Sequence, residues 1–241
     1  MTGRTDTPPT DGQRFFGRRH GRRLRAGRQR LVDDLLPSLA IDLPPDGAIA
    51  PDSLFARPVG DVWLEVGFGA GEHLAWQACR HPDVGFVGCE PFVNGVAGLL
   101  DQVARLGLGN VRIHPDDARA LIAALAPASV GRAFVLFPDP WPKRRHHERR
   151  FICPAQLDAL ARCLKPGAEL RLASDDPGLV DWMLMHARTH PGFRWRARRA
   201  RDWRQRPDDW PQTRYELKQL KGPPVFLVFE RTGDPLALAA G

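Results

Sequence analysis

Glu65, Glu90 and Asp117 each fall at the end of a short apolar run, and Asp139 is caged between Pro138 and Pro140. Directly after Glu65 and Val66 comes a glycine turn, Gly67, Gly69 and Gly71, leading into an amphipathic stretch. Glycines let a backbone turn sharply and approach a ligand at the carboxyl edge of a sheet. A carboxylate just before such a turn suits a ligand carrying an ammonium group. Glu90, 25 residues further on, can hold two ribose hydroxyls as acids do in dinucleotide folds. Asp117 can reach an adenine edge. The nicotinamide fingerprint is broken, because Glu72 stands where it needs a small residue. Each acid alone also reads as a solvated strand end, and Asp116 or Asp117 would cap the helix that follows. The glycines alone read as a plain turn.

The second constellation is Phe137-Pro138-Asp139-Pro140-Trp141-Pro142-Lys143-Arg144-Arg145-His146-His147-Glu148-Arg149-Arg150. Pro138 and Pro140 fix their own φ and restrict the residues before them, so Asp139 is held stiffly at the sheet's edge. A rigid loop is one reading. The other is a pocket for an extruded base: Trp141 gives a face, Asp139 accepts from the base edge, and the cations clamp phosphates.

The elements that must position these groups follow from periodicity. Apolar runs over 62–66, 85–89, 111–114, 132–137, 169–173, 193–197 and 225–229 read as strands. Amphipathic stretches over 71–80, 92–106, 118–125, 155–164 and 178–190 read as helices, the fourth closed by Lys165-Pro166-Gly167. This alternation predicts an α/β fold, a doubly wound, mostly parallel sheet with helices on both faces. Before it, residues 1–13 read as a disordered tail, 31–39 as a helical stretch interrupted by Pro37, and 42–60 as a connector. The expected organisation is a partly disordered basic arm and linker over 1–50, a catalytic domain over 51–233 and a tail over 234–241.

Composition sets the class of partner. The 241 residues are 43% hydrophobic and 26% charged, ordinary for a globular chain. No stretch approaches the roughly 20 apolar residues of a membrane span, and residues 1–13 lack the apolar core of an export signal. Cys79, Cys89, Cys153 and Cys163 form no C-x-x-C pair, which fits reduced thiols in a cytoplasmic protein. The net charge is +7, and only four of the 35 cations are lysines. Residues 14–30 hold eight arginines and no acid, 143–150 five cations and one acid, and 188–206 eight arginines and one acid. The remaining chain carries 14 cations against 26 acids. Arginine enrichment from genome bias would not remove acids locally; three such clusters point to a polyanion.

The Leu64-Glu65-Val66-Gly67-Phe68-Gly69-Ala70-Gly71 turn, the proline–aspartate–tryptophan run and Thr213-Arg214-Tyr215-Glu216 together resemble the bacterial tRNA (guanine-N7-)-methyltransferase family over about residues 60–232. The three acids at successive strand ends likewise match the adenosylmethionine site of class I methyltransferases. The resemblance implies a Rossmann-like class I fold with a seven-stranded sheet, S-adenosyl-L-methionine as methyl donor, no metal, and tRNA as partner, methylated at N7 of the variable-loop guanosine at position 46. It assigns Glu65, Gly67, Gly69, Gly71, Glu90, Asp117 and Asp139 to donor binding, Asp139 also to catalysis, and Lys143, Asp175 and Thr213, Arg214, Tyr215 and Glu216 to substrate contact. After Glu216 the family's arginine-glycine-rich continuation is replaced by Leu217-Lys218-Gln219-Leu220-Lys221-Gly222-Pro223-Pro224. A monomer or homodimer without an obligate protein partner is expected.

Other readings remain open at this point. Asp175 or Asp176 can equally cap a helix begun by Pro177. Trp195, Trp203 and Trp210 divide between core packing and RNA stacking. The eight histidines show no metal-ligand spacing. Competing functions are an adenosylmethionine enzyme acting on another base or a small molecule, and a non-catalytic RNA-binding module.

Overall fold

Short β-branched and apolar runs, punctuated by glycine and proline, build the centre of the computed structural model, which describes residues 15–218 and 221–233. The tails expected over 1–13 and 234–241 lie outside the described residues. Seven strands form one sheet: β1 (Asp61–Val66), β2 (Val84–Cys89), β3 (Val111–His114), β4 (Val130–Leu136), β5 (Leu164–Ser174), β6 (Phe193–Trp195) and β7 (Val225–Arg231). Their order is β3-β2-β1-β4-β5-β7-β6. The first five are parallel, and β7 runs antiparallel between β5 and β6. The chain runs outward from β1 to β3 and then returns to lay β4 on the other side of β1. This order reversal opens a crevice at the carboxyl ends of β1 and β4, where open α/β sheets bind ligands.

Strand alternation divides the core. Val62, Leu64 and Val66 face one hydrophobic cluster, beneath α5 (Ala118–Ala124), α6 (Pro154–Cys163) and α7 (Pro177–Thr189). Trp63 faces the other, with Leu74 and Ala75 of α3 (Glu72–Arg80) and Val96, Leu99 and Leu100 of α4 (Val93–Leu106). Glu65 therefore faces α3.

Several expectations are corrected. The helical stretch read over 31–39 begins earlier, as α1 (Ala26–Asp34), breaks at Leu35, and resumes as α2 (Leu36–Leu39) with Pro37 in its first turn. Leu31, Val32, Leu35 and Leu36 pack against the α3–α4 cluster, so tertiary burial recruits part of the basic segment into a helix. The connector is tied into the body: Ile41 N–H donates to the Ile113 carbonyl at 2.9 Å, and Ile49 N–H to that of Ala124 at 2.7 Å. Lys165-Pro166-Gly167 does not close α6 but lies within β5, where a register irregularity beside β4 absorbs it. Strand β4 ends at Leu136 and β6 at Trp195, each earlier than read. Two short helices in the arginine-rich C-terminal third, α8 (Arg201–Arg204) and α9 (Arg214–Lys218), had no apolar period to announce them. Among the described residues no helix is long and apolar enough to cross a membrane.

Candidate active site

At the crevice beside β1 lies a cavity of about 630 Å³, within the range of small-molecule sites. Its floor is the glycine turn. Gly67 N–H donates to the Cys89 carbonyl at 2.8 Å, and Gly69 N–H donates to Glu90 Oε2 at 2.8 Å. Gly69 has a φ of +55° and open space where a Cβ would stand, so its backbone can approach a ligand directly. Gly71 does not line the cavity; it caps α3, and a Cβ there would meet Leu99.

The turn is also braced from outside. A Cβ on Gly95 of α4 would stand 2.5 Å from the Gly69 carbonyl oxygen. Gly95→Ala is therefore expected to displace the turn and cost about 1–3 kcal/mol, a fall of about 2–4 °C in Tm per kcal/mol, readable by scanning calorimetry. Unchanged unfolding would mean the turn yields freely.

The acids come to the cavity in different states. Glu65 is buried yet lines the cavity, and its Oε2 lies 2.7 Å from His73 Nδ1. Glu90 accepts from both Gly69 and Phe92 N–H groups. Burial raises its pKa against those two bonds, and the nearby charges of Asp139 and Glu65 add to the rise. Asp117 caps α5, accepting from Arg119 N–H at 3.0 Å, and pairs with the Arg119 guanidinium at 2.9 Å. It lines the cavity as well, so cap and wall are one residue.

Asp139 stands accessible at the cavity's mouth, and no described residue hydrogen-bonds to its side chain. Partial exclusion of water by the surrounding protein raises its pKa. The turn that carries it is strained. Phe137 and Trp141 have φ of 49° and 42°, conformations that cost non-glycine residues about 1 kcal/mol or more each. Packing holds them there. The Phe137 ring lies 5.6 Å from that of Tyr215, and its N–H donates to the Ala173 carbonyl. Buried Arg150 donates from Nε to the Pro140 carbonyl at 2.9 Å and stacks on Trp182 of α7. Arg150 is thus a staple of the turn, not a cation free for phosphate. Sequence reading missed it, because a basic run does not reveal which member finds a carbonyl.

Trp141 is not a bare face. Phe16 meets it edge-on at 6.4 Å, and the Arg149 guanidinium lies 5.1 Å from the Trp141 ring and 4.4 Å from the Phe16 ring. Phe15, Phe16, Gly17 and Arg18 all line the cavity. Their approach is pinned by Val93 N–H to the Arg19 carbonyl, Gly21 N–H to Asn94 Oδ1, and Asn94 Nδ2 to the Arg22 carbonyl.

The remaining expected residues divide. Thr213, Arg214 and Tyr215 line the cavity, held by Arg214 N–H to Glu72 Oε2 at 2.6 Å. Glu216 does not; it is buried against Arg206 at 2.9 Å, and burial raises its pKa while Arg206 opposes the rise. Lys143 is exposed beyond the cavity. Asp175 also lies off it and accepts from Lys221 N–H at 3.3 Å, while Asp176 is the residue that caps α7. Trp210 is core, 3% exposed against Phe226, Phe134 and His73, and Trp195 and Trp203 are partly buried against the main cluster. None of the three is a free stacking surface. Among the described residues no group of three or more His, Cys, Asp or Glu side chains is placed to hold a metal.

The donor set fits adenosylmethionine. The buried Glu65 carboxylate, the acids Glu90 and Asp117 and the apolar walls of Phe68, Phe92 and Leu136 have the chemistry to suit an ammonium, ribose and adenine polar edges, and a flat base respectively. Comparison with known proteins agrees. A family model described as "Putative methyltransferase" matches residues 60–224. The chain is similar to the tRNA (guanine-N(7)-)-methyltransferase of Rhodospirillum rubrum, at 52% identity over 239 residues, 96% of this chain and 94% of that one. The enzyme of that name from Paramagnetospirillum magneticum is 52% identical over 221 residues, 90% of this chain and 92% of its own. Among solved structures the 16S rRNA methyltransferase KamB shares the fold, with a TM-score of 0.53 at 19% identity over 72% of this chain and 89% of that one. Half-identity along nearly the whole of both chains leaves one conclusion: this protein belongs to the tRNA (guanine-N(7)-)-methyltransferase family.

Proposed function

We propose that this chain methylates N7 of the variable-loop guanosine at position 46 of tRNA, in the cytoplasm, with S-adenosyl-L-methionine as donor. The observation that carries the reading is the meeting of the Glu65–Glu90–Asp117 floor with the strained Asp139 turn in one cavity. When bound, the donor supplies a sulfonium-activated methyl group. Guanine N7 has an in-plane lone pair outside the aromatic sextet, so no side chain has to remove a proton before attack. The protein's task is alignment, which can supply roughly 7–11 kcal/mol in favourable cases.

Each residue has a part in that task. Glu65 meets the ammonium, Glu90 the ribose hydroxyls and Asp117 the adenine edge. Asp139, free of competing hydrogen bonds, orients the guanine and balances the positive charge that develops on it. Thr213, Arg214 and Tyr215 bound the cavity on the substrate side, and Lys143 and Asp175 contact the RNA further out. Incubation with methyl-labelled donor and bulk tRNA, followed by nucleoside analysis, is expected to put label in N7-methylguanosine. Label in another nucleoside, or none, would refute the assignment.

The cationic clusters are partly consumed by the fold. Arg194 and Arg196 pair with Glu230 and Glu169, and Arg206 with Glu216. Arg144 and Arg145 are exposed and make no ion pair with described residues, as are Arg22 and Arg23. With about six phosphates neutralised, tRNA affinity should drop by about 10³ between 50 and 200 mM salt. Arg144→Ala with Arg145→Ala should flatten that slope in filter binding; an unchanged slope would remove these two from the interface.

A further inference from the structure

Glu65 is only 4% exposed, and a histidine and a glutamine stand behind it on the buried face of α3. His73 is 3% exposed and Gln77 fully buried. Polar side chains at such positions are costly unless they hydrogen-bond, and these form a chain. Gln77 Nε2 lies 2.8 Å from the Asp209 carbonyl oxygen and 3.2 Å from His73 Nε2, while His73 Nδ1 lies 2.7 Å from Glu65 Oε2. The amide can face only one way: turned over, its oxygen would oppose the Asp209 carbonyl oxygen. Gln77 therefore donates to both Asp209 and His73, and His73 Nε2 accepts. A ring that accepts at Nε2 carries its proton on Nδ1 and donates it to Glu65.

We infer that His73 is a positioning residue for methyl-donor binding, holding Glu65 by one oxygen so that the other is presented to the ligand's ammonium group. This rests on the proposed role of Glu65. A neutral Nδ1–H donor orients the carboxylate without cancelling its charge, as an imidazolium would. Glu65 Oε1 has no hydrogen-bond partner among the described residues, so it is the oxygen left for the ligand. Orientation set in advance avoids the entropy of ordering a three-torsion side chain on binding. The chain ends at Asp209, four residues before Thr213, so the same hydrogen bonds tie the substrate-side wall to the donor floor. The competing view is packing alone, since the His73 ring also lies 4.7 Å from Phe134 and 5.6 Å from Trp210.

The two views part in a binding experiment on the full chain. His73→Phe keeps a ring among those aromatics and removes the donor; His73→Asn keeps a donor near the Nδ1 position. Calorimetry compares S-adenosylhomocysteine, which carries the amino-acid moiety, with 5′-methylthioadenosine, which lacks it. His73→Phe is expected to weaken S-adenosylhomocysteine about tenfold or more and leave methylthioadenosine within about twofold, with His73→Asn recovering most of the loss. KM for the donor should rise with kcat nearly unchanged. Equal loss for both ligands, or loss for neither, overturns the inference. If wild-type protein and Glu65→Gln do not separate the two ligands, the reading of Glu65 itself has failed, which is a distinct result. Should His73→Phe not fold, nitrogen NMR of the wild-type imidazole still decides: a proton on Nδ1 alone is required, and one on Nε2 contradicts it.

Discussion

Asp139→Ala is expected to lower kcat about 10²–10³-fold at saturating donor and tRNA, with S-adenosylhomocysteine binding and thermal unfolding nearly intact. The side chain has no hydrogen-bond partner among the described residues, so its removal frees no buried donor. Pro138 and Pro140 and the Arg150 staple hold the turn without it. Partial exclusion of water by the walls of the cavity raises its pKa. The folded state keeps this proton to higher pH than the unfolded chain does. Stability is therefore lost as pH rises through the folded pKa, and at neutral pH the carboxylate is a cost. Asp139→Asn should accordingly have a Tm at or above that of wild type at pH 7, with the difference vanishing below the ordinary carboxylate range. Turnover needs the ionised form, so kcat/KM, which reports the free enzyme's ionisations, should fall on the acid side with a midpoint above that of an ordinary aspartate. Near-normal turnover by a folded Asp139→Ala protein would end the assignment.

Much of the site was legible because its parts are local. Buried parallel strands read as apolar runs, and Gly67, Gly69 and Gly71 or Pro138 and Pro140 punctuate their ends, so Glu65, Glu90, Asp117 and Asp139 could be placed at one sheet edge from spacing. What was not legible depends on partners far along the chain. Arg150 sits in a run of cations, and nothing in that run shows which member turns back to the Pro140 carbonyl or that Trp182 of the distant α7 will cover it. Leu31 and Val32 make a helix of an arginine-rich segment because α4 offers them an apolar face. Lys165-Pro166-Gly167 has the composition of a helix stop, but the register slip between Val130 and Arg132 lets β5 absorb it. His73 and Gln77 did leave a signal: two polar residues four apart on the otherwise apolar face that carries Leu74, Ala75 and Ala78. Trp210 lay among arginines, and only the sheet shows that it is core.

Asp209→Ala is expected to destabilise the fold well beyond what a half-exposed carboxylate on the surface ordinarily contributes. Arg171 lies within β5 with its side chain 7% exposed, and its guanidinium grips Asp209 through two bonds of 2.8 Å and Glu169 through Nε at 2.9 Å. Breaking a wholly buried pair costs about 3–5 kcal/mol. Asp209 is half-exposed at 46% and Glu169 remains, so about 2–3 kcal/mol is the appropriate figure, a Tm lower by about 4–12 °C. The loss comes from stranding Arg171, which gives the control its direction. Adding Arg171→Met to Asp209→Ala should restore part of the stability, because the uncompensated charge is gone. Burial works against ionised Asp209, but hydrogen bonds from Arg171 and the charges of Arg171 and Arg132 outweigh it and depress the pKa. Its contribution is therefore present above the unfolded-state value and lost as pH falls through the lower folded value. In Asp209→Ala that acid-side loss should be missing, so its stability deficit narrows as the solution is acidified. The same residue's carbonyl anchors Gln77, and its segment leads to Thr213, Arg214 and Tyr215. Loosening it should raise KM for donor and tRNA together, whereas an isolated surface pair would leave both unchanged. A variant that unfolds at the wild-type temperature with unaltered KM values would show that Arg171 and Glu169 suffice without it.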